Sequence, residues 1–265
     1  MISALRVISI IMVFITLTLA LLPVQLTAIA FSNDLMRHLP RRWHRIMARV
    51  MGFRITVAGQ VSGDRPLMLV ANHISWKDII VLGAVADVVF VAKSEVRSWP
   101  VFGWLARLQR SVFVERERKR STGDQIGEMA KRLKDGEIVV LFPEGTTSDG
   151  NFTLPFKTSL FGAATSAIPE VPGRQVHVQP VSIAYVGQYG LPMGRYHRPI
   201  AAWPGDVALG PHLWRVLREG ALDVEVEFGK PVIFDETTSR KQAARAIEKE
   251  ISGMLTRALR GDSRN

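Results

Sequence analysis

The stretch NHISWKD begins at Asn72, directly after the apolar run LMLVA, and sets His73 and Asp78 five positions apart. An imidazole beside a carboxylate is equipment for moving a proton near neutral pH. In a regular helix five residues turn through ~500°, which leaves the two side chains ~140° apart. They meet only where His73 sits on a turn and Asp78 lies in the first turn of the helix behind it, so the stretch predicts a strand-to-helix junction. There the carboxylate bonds Nδ1, fixes the tautomer and leaves Nε2 free as a base. The helix N-terminus also places donors nearby for an anion. The same H-x4-D pattern fits a structural histidine satisfied by a helix carboxylate, so the pair alone assigns no reaction.

The chain contains no cysteine. Disulfides, thiolate metal sites and a cysteine acyl-enzyme are therefore excluded. There is no G-x-S-x-G elbow either, which leaves a serine acyl-enzyme without support. The simplest chemistry is deprotonation by His73 of a hydroxyl on the substrate itself, an effect worth ~10²–10⁴-fold.

A second cluster follows the run EIVVLF: Pro143-Glu144-Gly145-Thr146-Thr147-Ser148-Asp149-Gly150. A strand breaks there into a loop led by a carboxylate. Gly145 permits close backbone approach, and Thr146, Thr147 and Ser148 offer donors to polar substrate oxygens. Lys157, in PFKTS, is placed to reach the same site. Between the two clusters, Lys93 ends DVVFVAK, and Arg116 ends the strand-like SVFVER. An arginine at a strand end suits a phosphate, because its fork offers paired donors. The run Arg118-Lys119-Arg120 reads as a solvated or lipid-facing patch.

The elements that must position these groups alternate. ITVAG, PLMLVA, DVVFVAK, SVFVER, EIVVLF, VHVQPVSIAYV and LDVEVEFG are short, β-branched and bounded by Gly, Pro or charge, as strands are. WKDIIVLGAVA, WPVFGWLARL, STGDQIGEMAKRLKDG and FGAATSAI carry helical periodicity. Thr238 to Leu259 forms a last amphipathic helix, with Ala243, Ile247, Ile251, Met254 and Leu255 along one side. This alternation predicts an α/β fold with a central, mostly parallel sheet flanked by helices.

With 265 residues, 47% of them apolar, the chain can bury a substantial core. A formal charge of +10 and a pI near 10.4 point to an anionic partner. The N-terminus selects among anions. Val7 to Phe31 carries no charge and is long enough to cross a hydrocarbon core of ~30 Å. Pro23 predicts a kink or a split into two short helices, which allows a re-entrant hairpin as well as a span. A signal peptide cleaved at Ala28-Ile29-Ala30 is the alternative. Arg37, Arg41, Arg42, Arg45 and Arg49 follow without an acid between them, which places that side in the cytoplasm, and from Pro40 onward the segment can lie in the interface as a basic amphipathic helix. No nucleic-acid-binding motif accompanies the charge, so nucleic acid is not an expected partner. The expected organisation is a membrane anchor with a basic interfacial helix over residues 1–50 and a catalytic domain over 51–265.

NHISWKD, SVFVER, FPEGTTS and VQPVSIAY stand in the order and spacing of the four motifs of the glycerolipid acyltransferases. Over Pro66 to Val186 the chain resembles the bacterial 1-acylglycerol-3-phosphate acyltransferase group. The resemblance implies His73 as general base with Asp78 as its partner, Glu144 and Gly145 holding the acyl acceptor, Arg116 on its anionic head group, and Pro180 shaping the acyl-donor side. It implies acyl-CoA or acyl carrier protein as co-substrate, no cofactor and no metal, and a lysolipid acceptor reaching a catalytic domain on the cytoplasmic side of a bacterial inner membrane. One departure stands out: the family's third motif usually has arginine after Glu-Gly-Thr, where this chain has Thr147. A glycerol phosphate head group would lose a charged contact worth ~1.5–3 kcal/mol. Lys157 or Arg116 could compensate, or the acceptor could be lyso-ornithine lipid, whose acyltransferases are similar in this motif. A non-catalytic lipid-binding protein of the membrane surface, and a lipid hydrolase using the same base on water, are the competing readings.

Overall fold

The computed structural model describes residues 2–31, 34–114, 123–159, 161, 168–205 and 207–262. Its helices are α1 (Ile2–Ala30), α2 (Leu35–Val50), α3 (Lys77–Val85), α4 (Phe102–Leu108), α5 (Gly123–Lys134), α6 (Leu209–Glu219) and α7 (Arg240–Arg260). Its strands are β1 (Arg54–Ala58), β2 (Leu67–Ala71), β3 (Val88–Lys93), β4 (Val112–Val114), β5 (Ile138–Leu141), β6 (Gln175–Gln188), β7 (Leu191–Pro192), β8 (Leu222–Phe228) and β9 (Val232–Asp235). They form one sheet in the order β1-β8-β6-β2-β5-β3-β4, with β7 and β9 also paired to β6. The β6-β2-β5-β3-β4 portion is parallel throughout, while β8 and β9 run antiparallel to β6.

Burial follows from this order. Every residue of β2 is buried, as expected of a central parallel strand covered on both faces. Side chains alternate across the strand. Leu67, Leu69 and Ala71 join the core under α2, α3 and α6, and Met68 and Val70 join the core under α5 and α7. β8 instead alternates buried and half-buried along LDVEVEF, because one of its faces is less covered. The β6 strand exchanges neighbours midway: Gln175 to Val178 pair with β9, and Val181 to Gln188 with β8. Pro180, which has no N–H to give, sits at that handover.

All seven strands expected from the sequence are present, and β7, β9 and α6 are additional. The expected helix at FGAATSAI lies largely outside the described residues. Pro23 does not split the N-terminal segment: α1 runs as one helix with the proline inside it. A proline inside a helix removes one backbone donor and crowds the carbonyl four residues before it, yet the helix continues on both sides of Pro23. α2 likewise begins before Pro40 rather than at it. Three polar side chains of α1, those of Arg6, Thr18 and Gln25, turn inward, while Ser9, Thr16 and Thr27 are exposed. Arg6 donates to Leu217 O and Met51 O (3.0 and 2.8 Å), Thr18 accepts from Trp43 Nε1 (3.0 Å), and Gln25 Nε2 donates to Met36 O and Leu108 O (3.1 and 2.8 Å). Leu5, Ile8, Met12, Ile15, Leu19 and Leu26 face out, between 45% and 61% exposed.

Candidate active site

The site forms where the parallel strands β2 and β5 end side by side. β2 stops at Ala71, and Asn72 continues its ladder with a side chain: Nδ2 donates to Ile183 O (2.9 Å) while Oδ1 accepts from Ile183 N (2.8 Å). His73 then lies on the turn and Asp78 in the first turn of α3, the junction expected from their spacing. His73 Nδ1 is 2.8 Å from Asp78 Oδ2. The same oxygen accepts the backbone N–H groups of Ile74 and Ser75 (2.7 and 2.9 Å), and Asp78 Oδ1 accepts the Tyr185 hydroxyl (2.8 Å). The carboxylate is fully buried, and the imidazole keeps 19% of its surface exposed. The imidazole stacks on Phe142, with centroids 4.2 Å apart. A base whose ring plane and tautomer are both fixed presents Nε2 in one direction.

Glu144 braces this arrangement from β5's end. Its Oε1 accepts His73 N (2.9 Å) and its Oε2 accepts Leu154 N (3.0 Å). Burial pushes its carboxyl up to about 8, against the two backbone N–H bonds that pull it down. Both oxygens are thus engaged within the protein. A further bond, from Ser148 N to His73 O (2.8 Å), ties the two loops together. Gly145 has φ +73, the left-handed region, and a Cβ there would lie 2.9 Å from Lys157 Nζ, so the ammonium rests directly over this glycine.

The remaining expected residues distribute unevenly. Thr146 is exposed beside the same loop, whereas Thr147 is buried and its hydroxyl donates to Trp203 O. Lys93 is exposed at the end of β3, a strand away. Pro180 is buried within the sheet opposite Val70, below the loops. Arg116 lies outside the described residues.

Three further features of the site were not read from the sequence. Tyr185 is the first, although its parity with Val181 and Ile183 on β6 was a usable signal for the face it shares. Lys77 is the second. It is fully buried, donates to Ala201 O at 2.5 Å and lies over the Tyr185 and Trp76 rings at 5.3 and 5.7 Å. Burial lowers its pKa to about 7, against the pull of Asp78. The third is the segment Gly194 to Gly205, which straps both loops: Trp203 N donates to Ile74 O (2.9 Å), Ala201 O receives Lys77, and Arg198 Nη1 donates to Asn151 Oδ1 (2.5 Å).

A buried carboxylate and the imidazole it fixes, set at the C-terminal ends of β2 and β5, are equipped to move a proton to or from a hydroxyl. The acyltransferase family profile matches residues 53–184, and the chain belongs to the acyltransferase family. It is 59% identical over 254 residues to a lyso-ornithine lipid O-acyltransferase of Rhizobium meliloti, covering 96% of this chain and 87% of that protein. It is 52% identical over 261 residues to the lyso-ornithine lipid O-acyltransferase of Brucella abortus, covering 98% of each. Among solved structures, the 1-acyl-sn-glycerophosphate (LPA) acyltransferase PlsC of Thermotoga maritima shares the fold, with a TM-score of 0.63 and 21% identity over 96% of each chain.

Proposed function

We propose that this enzyme acylates the free hydroxyl of lyso-ornithine lipid with an acyl group taken from acyl-CoA or acyl carrier protein. The His73–Asp78 pair carries the reading. His73 Nε2 takes the proton of the acceptor hydroxyl as its oxygen bonds to the thioester carbonyl carbon. The tetrahedral oxyanion then collapses, the carbon–sulfur bond breaks, and the leaving thiolate takes the proton from the imidazolium. Asp78 stabilises the imidazolium while keeping its own hydrogen bonds. Two relatives at 59% and 52% identity support the acceptor. Thr147 supports it too: a neutral side chain, already bonded to Trp203 O, offers no charge to a phosphate monoester.

Membrane association follows the apolar helix. α1 touches the domain through Arg6 near one end and Gln25 near the other, roughly 28 Å apart along the helix axis. A helix held to its domain over that length lies along the bilayer rather than crossing it, with its outward apolar stripe in one leaflet. The basic residues of α2 favour the cytoplasmic leaflet.

The test is transfer in vesicles containing lyso-ornithine lipid or 1-acylglycerol-3-phosphate at equal mole fraction, with a thioester donor. The reading expects ornithine lipid as the dominant product. Exclusive formation of phosphatidic acid would refute the acceptor, and release of free fatty acid without acylated lipid would refute the transfer.

A further inference from the structure

Three of the six tryptophans are exposed: Trp99 at 36%, Trp104 at 38% and Trp214 at 55%. Indole combines a large apolar body with one polar N–H, and exposing it to water is unfavourable unless something else receives it. The three do not scatter. Trp99 and Trp104 belong to the turn after β3 and to α4, and Trp214 belongs to α6. These elements meet α1 toward its two ends: α6 through Arg6 and the Leu217 carbonyl, α4 through Gln25 and the Leu108 carbonyl.

The tip at Trp99 is built rather than loose. Val101, 52% exposed, is held at φ 63, a conformation that β-branched residues avoid. Gly103 N bonds Trp99 O at 2.9 Å, and a Cβ at position 103 would lie 2.4 Å from Arg97 O, so only glycine closes the turn. Trp104 and Leu108 are helix neighbours. Leu105 and Leu108 line an apolar groove with Leu21 and Leu22 of α1. The groove thus lies between α1 and α4, the helix that carries Trp104. The tip itself follows the C-terminal edge of β3, the same sheet edge from which His73 and Glu144 emerge. Lys93, Arg97 and Arg107 are exposed around it, with Glu95 the opposing charge; beside Trp214, Arg218 is exposed and Arg215 pairs with Glu219 at 3.2 Å.

We infer that Trp99, Trp104 and Trp214 are interfacial anchors that seat the domain on an anionic bilayer toward both ends of α1, so that the His73 edge of the sheet faces the lipid from which the acceptor arrives. The inference rests on the reading of α1 as a helix lying in one leaflet. The chemistry fits: indoles favour the head-group level, and the surrounding cations favour negative lipid.

The test uses the full chain, bound to phosphatidylglycerol-containing vesicles whose lipids carry bromine near the head-group end of the acyl chain. The wild type is compared with the triple variant Trp99→Phe, Trp104→Phe, Trp214→Phe. Strong tryptophan quenching in the wild type and its loss in the variant is the expected result, together with a several-fold higher KM for vesicle-borne acceptor and an unchanged KM in detergent micelles. Equal quenching in both proteins would overturn the inference while leaving the in-plane helix standing. Failure of the wild type to bind vesicles would overturn the in-plane helix itself. If the three indoles were shielded by concentration-dependent dimerisation without lipid, the surface would be a contact between copies, and the inference would fall.

Discussion

The two loops at the strand edge do opposite work with the same residue types. The loop after β2 turns its carboxylate inward and its base outward: Asp78 is fully buried under four hydrogen bonds, and His73 keeps a window to the outside. The loop after β5 turns almost everything inward. Glu144 accepts two backbone N–H groups, Thr147 is tied to Trp203, and only Thr146 and the Lys157 ammonium over Gly145 remain presented. The lesson is that one loop leaves an imidazole open while the other is spent on internal bonds, and that a carboxylate's role is decided by where its oxygens are used.

Variants that break this division should rank accordingly. Asp78→Asn gives Nδ1 an amide instead of a carboxylate, so the tautomer and the imidazolium both lose support; acyl transfer should fall by about 10²–10⁴-fold, read as kcat with vesicle binding unchanged. Tyr185→Phe removes one charge-assisted bond worth ~1.5–3 kcal/mol from the same buried carboxylate. Its kcat should drop roughly tenfold, while the KM for the acceptor stays put.

In the supporting loop the signature is stability rather than rate. Glu144 holds its proton up to about 8 in the folded protein, against 4.5 as its ordinary value. The folded state therefore binds the extra proton between those limits, and the associated stabilisation is complete below the lower limit and lost as pH rises through the upper one. Glu144→Gln cannot titrate, and its NH₂ must face one of the two N–H donors, so it is less stable at pH 5. The gap in thermal midpoint between wild type and variant should narrow from pH 5 to pH 8; a constant gap contradicts the buried, protonated carboxyl. Smallest of all is Thr147→Ser, which keeps the bond to Trp203 and should leave activity within about twofold, whereas Thr147→Val, the near-isosteric loss of one hydrogen bond of ~1 kcal/mol, should cost several-fold. Equal effects of the two would mean that the hydroxyl is idle. Thr147→Arg would have to break that bond, and the account expects it to impair transfer to lyso-ornithine lipid.

How far the sequence reached follows from distance along the chain. His73 and Asp78 lie within one turn of a strand–helix junction, so their geometry was derivable from helix periodicity alone. Tyr185, Asn72 and Lys77 meet partners 107, 111 and 124 residues away, and only the folded sheet creates those contacts. The central strands were readable because buried parallel strands are dense in Val, Ile and Leu, and β8 because its apolar and polar residues alternate. β9 was not, because Val232 to Asp235 is a short edge strand with two exposed residues. Nor was α6, whose glycine and proline near the start mask its periodicity, or the strap before it, which holds the loops mostly through backbone groups that any residue supplies. A single proline reads as a breaker in sequence, but the long apolar helix α1 continues through Pro23.

The central claim is that one imidazole, aimed by a buried acid, removes the acceptor's proton. It is tested most directly by His73→Ala in vesicles containing lyso-ornithine lipid and a thioester donor, with product followed by mass and vesicle binding measured alongside. The account predicts that binding persists while transfer falls by about 10²–10⁴-fold. Transfer at the wild-type rate by the variant would contradict it.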